Sequence, residues 1–201
     1  MSITLSHITA GYPGKPPLFR DFSLTLPDAG VIAFTGPSGS GKTTLLRLLC
    51  GQMPPQSGAV EGLADKKIAV VFQENRLLPW CTVLQNVSLV GEEETARRLL
   101  EQMELGDWLS HYPAELSGGM QRRVAIARAL CYGGDVLVLD EPFKGLDDDL
   151  KLRLIPIIRQ SAPLILLVTH DKEDIAALAA DCITLTPHTA DQPATAILTK
   201  A

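Results

Sequence analysis

The stretch Gly36-Pro37-Ser38-Gly39-Ser40-Gly41-Lys42-Thr43-Thr44 stands between the apolar run Val31 to Phe34 and the apolar stretch Leu45 to Leu49. It matches the spacing GxxxxGK[ST] through Gly36, Gly41, Lys42 and Thr43, and it follows a predicted strand and opens a predicted helix, as that spacing requires. Glycines let the backbone curl until successive N–H groups converge on one anion, and the helix start adds its partial positive charge. Lys42 is then expected to reach the β and γ phosphates of a nucleotide, and the Thr43 hydroxyl to bind magnesium (Mg2+). Pro37, Ser38, Gly39, Ser40 and Thr44 complete the expected cradle. A turn that only joined strand to helix would have no use for Lys-Thr at the helix start.

Asp140-Glu141 supplies the acids, at the end of the apolar run Val136 to Leu139. A carboxylate at the carboxyl end of a strand holds magnesium, usually through its water, so Asp140 is the expected metal partner. Glu141 is placed to act as general base on an attacking water. Alone the pair could be a solvated strand end; beside a phosphate loop it predicts hydrolysis.

These groups need a scaffold. Val31 to Phe34, Val136 to Leu139 and Leu164 to Val168 are apolar without alternation, as central parallel strands buried on both faces are. Each precedes a polar cluster and a helical pattern, the layout of an α/β sheet with its site at the strand carboxyl ends. Ile68 to Phe72 predicts a fourth such strand. Alternation in Ile3 to Leu5 and in Phe22 to Leu26 predicts an N-terminal antiparallel layer, with Pro13, Gly14, Pro16 and Pro17 in the turn between.

From about residue 74 to 130 the pattern turns helical, with helices expected over Thr82 to Val90, Thr95 to Met103 and Trp108-Leu109. Ala96, Leu99, Leu100 and Met103 share one face, while Glu92, Glu93, Glu94, Arg97 and Arg98 form a solvated one. Asp147-Asp148-Asp149 opens a further helix that Pro156 should kink. Little beyond one short strand is expected after Cys182 to Leu185, leaving no room for a regulatory C-terminal domain.

At 201 residues the chain predicts a single domain over 1–201 with a small helical insertion. Its longest apolar stretches are far shorter than a bilayer-spanning helix, and MSITLSHITA lacks the pattern of an export leader, so a cytoplasmic protein is expected. The net charge of −5 argues against a broad electrostatic grip on nucleic acid and leaves room only for a local basic pocket. Cys50, Cys81, Cys131 and Cys182 are widely spaced in apolar surroundings and read as small core residues, without zinc or redox chemistry.

Leu116-Ser117-Gly118-Gly119-Met120-Gln121, ahead of Asp140-Glu141, resembles the LSGGQ signature of the ATP-binding cassette family, and almost the whole chain then aligns with its nucleotide-binding domain. The resemblance implies a P-loop NTPase fold that binds ATP and magnesium. It implies Tyr12 as the aromatic that stacks on adenine, Gln73 as the loop glutamine that touches magnesium and the attacking water, and His170 as the switch histidine near the γ phosphate. Asp147 falls in the loop that crosses to a partner subunit. Ser117 is suited to cap the helix that follows, leaving an open amide end at Gly118 and Gly119. In the family that end binds the γ phosphate of ATP held by the other protomer, so the expected active unit is a head-to-tail homodimer.

Gln73-Glu74-Asn75-Arg76-Leu77-Leu78-Pro79-Trp80 lies where this family docks a membrane subunit. The segment looks like that of importers for nitrate, sulfonate and taurine. The resemblance therefore implies the ATPase of an uptake transporter on the inner face of the membrane, with permease subunits and a solute-binding protein as partners. The alternatives are a short exporter of the haem-exporter type and a soluble nucleotide-dependent interaction module. Met120 stands where the signature has glutamine, and Lys144-Gly145-Leu146-Asp147 replaces Ser-Ala-Leu-Asp, so an altered dimer interface or a low rate is expected.

Overall fold

The computed structural model describes residues 2–178, 180–186 and 194–199. In chain order they form β1 (Ile3–Ala10), β2 (Phe19–Leu26), β3 (Gly30–Thr35), α1 (Lys42–Leu49), β4 (Ser57–Glu61), β5 (Ile68–Val71), α2 (Val83–Ser88) and α3 (Glu93–Gln102). Then come α4 (Gly118–Tyr132), β6 (Val136–Asp140), α5 (Asp148–Arg159), β7 (Leu164–Val168), α6 (Lys172–Ala177), β8 (Asp181–Thr186) and β9 (Thr195–Thr199). The chain divides into two compact units, residues 1–66 with 163–201, and residues 67–162.

The first unit holds an antiparallel sheet of order β2-β1-β4. Alternation along β1 buries Ile3, Leu5, Ile8 and Ala10, as one-sided strands require. Its pairing with β2 shifts register between Leu5 and Ile8, where His7 and Asp21 take φ of 52° and 51° and their side chains meet at 2.6 Å. That is a bulge, an extra residue that bends and twists the strand. β4 was not foreseen: Ser57-Gly58-Ala59-Val60-Glu61 is almost wholly exposed, so it carries no buried stripe and is a strand only through its ladder with β1.

The same unit sets β3 between β7 and β8, parallel to both, with β9 antiparallel to β8. Ile32, Ala33, Phe34 and all of Leu164–Val168 are buried, as the unbroken apolar runs predict for doubly covered strands. Phe34 pairs with Val168, so the chain leaves β3 and β7 side by side at their carboxyl ends.

In the second unit β5 and β6 run parallel, Val71 opposite Leu139. The predicted strand at 68–72 ends one residue early, at Val71. α2 is shorter than the expected 82–90: Thr82 is its cap, closing a capping box with Gln85, and Leu89 ends it at the other side. α3 buries Ala96, Leu99 and Leu100, with Arg97 paired to Glu93 at 3.0 Å on the wet side. Gly106–Trp108 is one 3₁₀ turn, too short to hold an α-helix. α5 runs through Pro156. Proline removes the bond to the carbonyl four residues back, here that of Leu152, an exposed residue.

Asn86 carries the local structure of this unit. It is fully buried; its Oδ1 accepts from Leu78 N at 2.8 Å, and its Nδ2 donates to the carbonyls of Leu78, Cys81 and Thr82 at 3.1, 3.0 and 3.0 Å. Replacing it by leucine of similar size would strand these groups. Asn86→Leu is expected to lower stability by about 3 kcal/mol, since each buried unpaired polar group costs ~1–3 kcal/mol. A urea midpoint within error of wild type would contradict this.

Among the described residues no helix is long and apolar enough to cross a membrane. Burial pushes the Cys50 thiol up to about 12, so it stays protonated and unreactive.

Candidate active site

The loop after β3 takes φ of 131°, 81° and 95° at Gly36, Gly39 and Gly41, a region costly for residues with a β-carbon. A β-carbon at Gly36 would also collide with the Leu185 carbonyl oxygen, and one at Gly41 would lie 2.7 Å from the Phe19 ring. Gly39 faces open space. Gly41→Ala is therefore expected to destabilise by about 2–3 kcal/mol, conformational and steric terms together, and Gly39→Ala by only about 1 kcal/mol. Equal losses in urea melts would show that the Phe19 contact is not decisive.

Lys42 is 7% exposed. Its Nζ donates to the carbonyls of Gly36 at 2.8 Å and Pro37 at 2.9 Å, closing the curl on itself. α1 begins at Gly41 with no side-chain cap bond, and the first turn of a helix carries N–H groups that lack intrahelical acceptors. Ser40 Oγ is buried without a hydrogen-bond partner. Backbone donors at a helix start, an ammonium group and an orphan hydroxyl together fit an anionic phosphate chain. Pro37, Ser38, Gly39 and Thr43 are exposed, while Thr44 is buried.

Tyr12 sits against this helix. Its hydroxyl lies 3.3 Å from Thr44 Oγ1 and accepts from Arg47 Nη1 at 3.1 Å, with the Arg47 guanidinium 5.9 Å from the ring centre. His170 is exposed two residues beyond Val168, on a turn fixed by its neighbours. Thr169 Oγ1 donates to Asp174 Oδ2 at 3.2 Å and accepts from Asp171 N at 3.1 Å, and Asp171 caps α6 through Glu173 N at 2.8 Å. The β3–β7 register thus brings the phosphate loop and His170 out at one end of this unit.

In the second unit the β5–β6 register does the same for Gln73 and for Asp140-Glu141. Gln73 is exposed, Asp140 is 8% exposed and Glu141 is half-buried. Glu141 has φ 49°, a left-handed conformation that a non-glycine residue keeps only where its surroundings impose it. Ser117 caps α4, accepting from Met120 N at 3.2 Å. Gly118 has open space around it, whereas a β-carbon at Gly119 would lie 2.9 Å from the Gly145 carbonyl oxygen. Asp147 caps α5 through Leu150 N at 2.9 Å.

Sequence reasoning missed the residue that ties these pieces together. Arg122 in α4 is 4% exposed. Its Nε donates to the Pro142 carbonyl at 3.0 Å, its Nη2 to the carbonyls of Asp140 and Glu141, the latter at 2.7 Å, and its Nη1 to the Phe72 carbonyl and Asn75 Oδ1. Burial pulls its pKa down while the charges of Asp140 and Glu141 raise it. Arg128 adds bonds to the carbonyls of Arg76 and Asn75, both 2.9 Å. The available signal was helical spacing: Ala125, Ile126 and Ala129, at i+3, i+4 and i+7 from Arg122, are all buried, which put an arginine on an inward face.

A parallel α/β strand, a glycine loop that doubles back on its own lysine and a helix opening at that lysine define a P-loop nucleoside triphosphatase. A family model described as ABC transporter matches residues 19–144, and the chain belongs to that family. It is 39% identical over 205 residues to the taurine import ATP-binding protein TauB of Escherichia coli, covering 92% of this chain and 80% of that one. It is 40% identical over 176 residues to the aliphatic sulfonates import ATP-binding protein SsuB 1 of Paracoccus denitrificans, covering 83% and 72%. Among solved structures, a dimeric post-hydrolysis state of the ATP-binding cassette MJ0796 bound to ADP and Pi superposes with a TM-score of 0.79 at 28% identity, covering 90% of this chain and 93% of that one. The fold expected from the sequence, an α/β nucleoside triphosphatase with an antiparallel layer and a helical segment, is the fold observed.

Proposed function

We propose that this chain is the ATP-hydrolysing subunit of an ABC importer, powering uptake of a small anionic or zwitterionic solute of the nitrate, sulfonate or taurine kind. The observation that carries the reading is the lysine-closed glycine loop at the start of α1, and the likeness to taurine and sulfonate import proteins over most of the chain supports the direction and the solute class.

In this reading the loop Gly36–Thr44 wraps the phosphate chain with its amides, and Lys42 exchanges its bonds to Gly36 and Pro37 for phosphate oxygens. Ser40 Oγ gains the partner it lacks. Tyr12 offers its face to adenine. Thr43, Asp140 and Gln73 would hold magnesium, which when bound neutralises phosphate charge. Glu141 takes the proton of the attacking water, and His170 donates to the charge that develops on the γ phosphate.

The amide end at Ser117, Gly118 and Gly119 serves the nucleotide of a second copy, with Asp147 near the same interface, so the working unit is a head-to-tail dimer. Permease subunits dock near Gln73–Trp80, where Trp80 is 72% exposed, as an apolar anchor for a partner would be. A solute-binding protein acts through them, and the chain works at the cytoplasmic face of the membrane without touching nucleic acid.

Light scattering tests the dimer. With ATP, a variant unable to hydrolyse it, Glu141→Gln, should shift from monomer to dimer mass, and ADP should not produce the shift. Coexpression with the permease subunits of a sulfonate- or taurine-type importer from the same genome should co-purify the two, and Trp80→Glu should break that complex while ATP-dependent dimers persist. A monomer under all nucleotide conditions would sink the two-copy arrangement.

A further inference from the structure

We propose that Arg122 is a positioning residue for hydrolysis, holding the Gln73 loop and the Glu141 turn in one fixed relation to α4; this rests on the ATPase reading above. The acceptors of its guanidinium come from the carboxyl end of β6 and from the loops that follow the adjacent parallel strands β5 and β6. They are the Phe72 carbonyl and Asn75 Oδ1 on either side of Gln73, and the carbonyls of Asp140, Glu141 and Pro142 around the general base. Four of these five acceptors are backbone carbonyls and the fifth is Asn75 Oδ1, so these bonds do not go to the side chains of Gln73 and Glu141. What Arg122 fixes is the path of the chain beneath them.

Two further observations point the same way. Glu141 keeps φ 49°, and the carbonyls of Asp140, Glu141 and Pro142, spanning that residue, all end on the one guanidinium. Arg128, six residues along α4, takes the next two carbonyls of the Gln73 loop, at Asn75 and Arg76, so the loop is tied twice to the helix that Ser117 and Gly118 open. A guanidinium is a rigid planar fork with five donors, whereas an ammonium is a point with three. Lysine therefore keeps the charge and loses the simultaneous hold on both strands.

The test compares Arg122→Lys and Arg122→Ala with wild type, by steady-state ATP turnover, nucleotide titration and thermal melting. Arg122→Lys is expected to lower kcat by about tenfold or more, as small misplacements of catalytic groups do, with nucleotide Kd within about threefold, because the phosphate loop is built by other residues. In Arg122→Ala, millimolar guanidinium should raise kcat at least about threefold and methylammonium should not, since only the planar donor set matches the carbonyls. Unchanged kcat in Arg122→Lys would overturn the proposal. So would turnover, nucleotide affinity and melting temperature falling together with no guanidinium response, which is the pattern of a merely structural side chain. Glu141→Gln run alongside separates the two ideas. Should it turn over ATP like wild type, the assignment of Glu141 fails; should it lose turnover while Arg122→Lys does not, only the positioning role fails.

Discussion

Lys42→Ala is expected to lose measurable ATP binding, with Kd raised by about 100-fold or more, because a charge-assisted bond to phosphate is worth ~1.5–3 kcal/mol and this ammonium serves more than one oxygen. Its position makes the effect large. The nitrogen is buried beside a glycine loop and holds the carbonyls of Gly36 and Pro37, so its loss removes both the charge and the clasp that shapes the loop. Titration of a fluorescent ATP analogue reads the affinity, and circular dichroism checks the fold. Affinity equal to wild type in a folded variant would refute the phosphate cradle.

Glu141→Gln is the complementary experiment. The substitution keeps the size of the side chain and leaves the backbone, which is what Arg122 grips, where it was. Turnover should fall by about 100-fold or more, the usual contribution of a general base, while ATP affinity stays within about threefold. Lys42→Ala thus removes binding and Glu141→Gln removes chemistry. A Glu141→Gln protein that hydrolyses ATP at the wild-type rate would mean that another group takes the proton.

What could be read from the sequence divides along a physical line. Val31 to Phe34, Val136 to Leu139 and Leu164 to Val168 announced themselves because strands buried on both faces leave no polar position to obscure the pattern. The loop at 36–44 was legible because gripping an anion needs glycines, lysine and a helix start in fixed order, and Ser117 because a cap has one place to be. β4 was illegible because an exposed strand is written in its neighbour's hydrogen bonds. Asn86 was illegible because a polar residue in a short helix gives no sign of its partners, and for Arg122 the helical spacing showed an inward face but not the acceptors, which lie 50 and 47 residues away at Phe72 and Asn75. The left-handed turn at Glu141 has no local sequence signal either, its carbonyl accepting from Arg122, 19 residues back.

The close approach of Gly119 to the Gly145 carbonyl has an evolutionary corollary. Position 119 is not free to drift alone: a lineage that acquired a side chain there would first need the 144–147 segment to retreat, while position 145, open around its α-carbon, restrains only the backbone angle. Homologous sequences should therefore covary in one direction, tolerating changes at 145 with glycine kept at 119 far more often than the reverse.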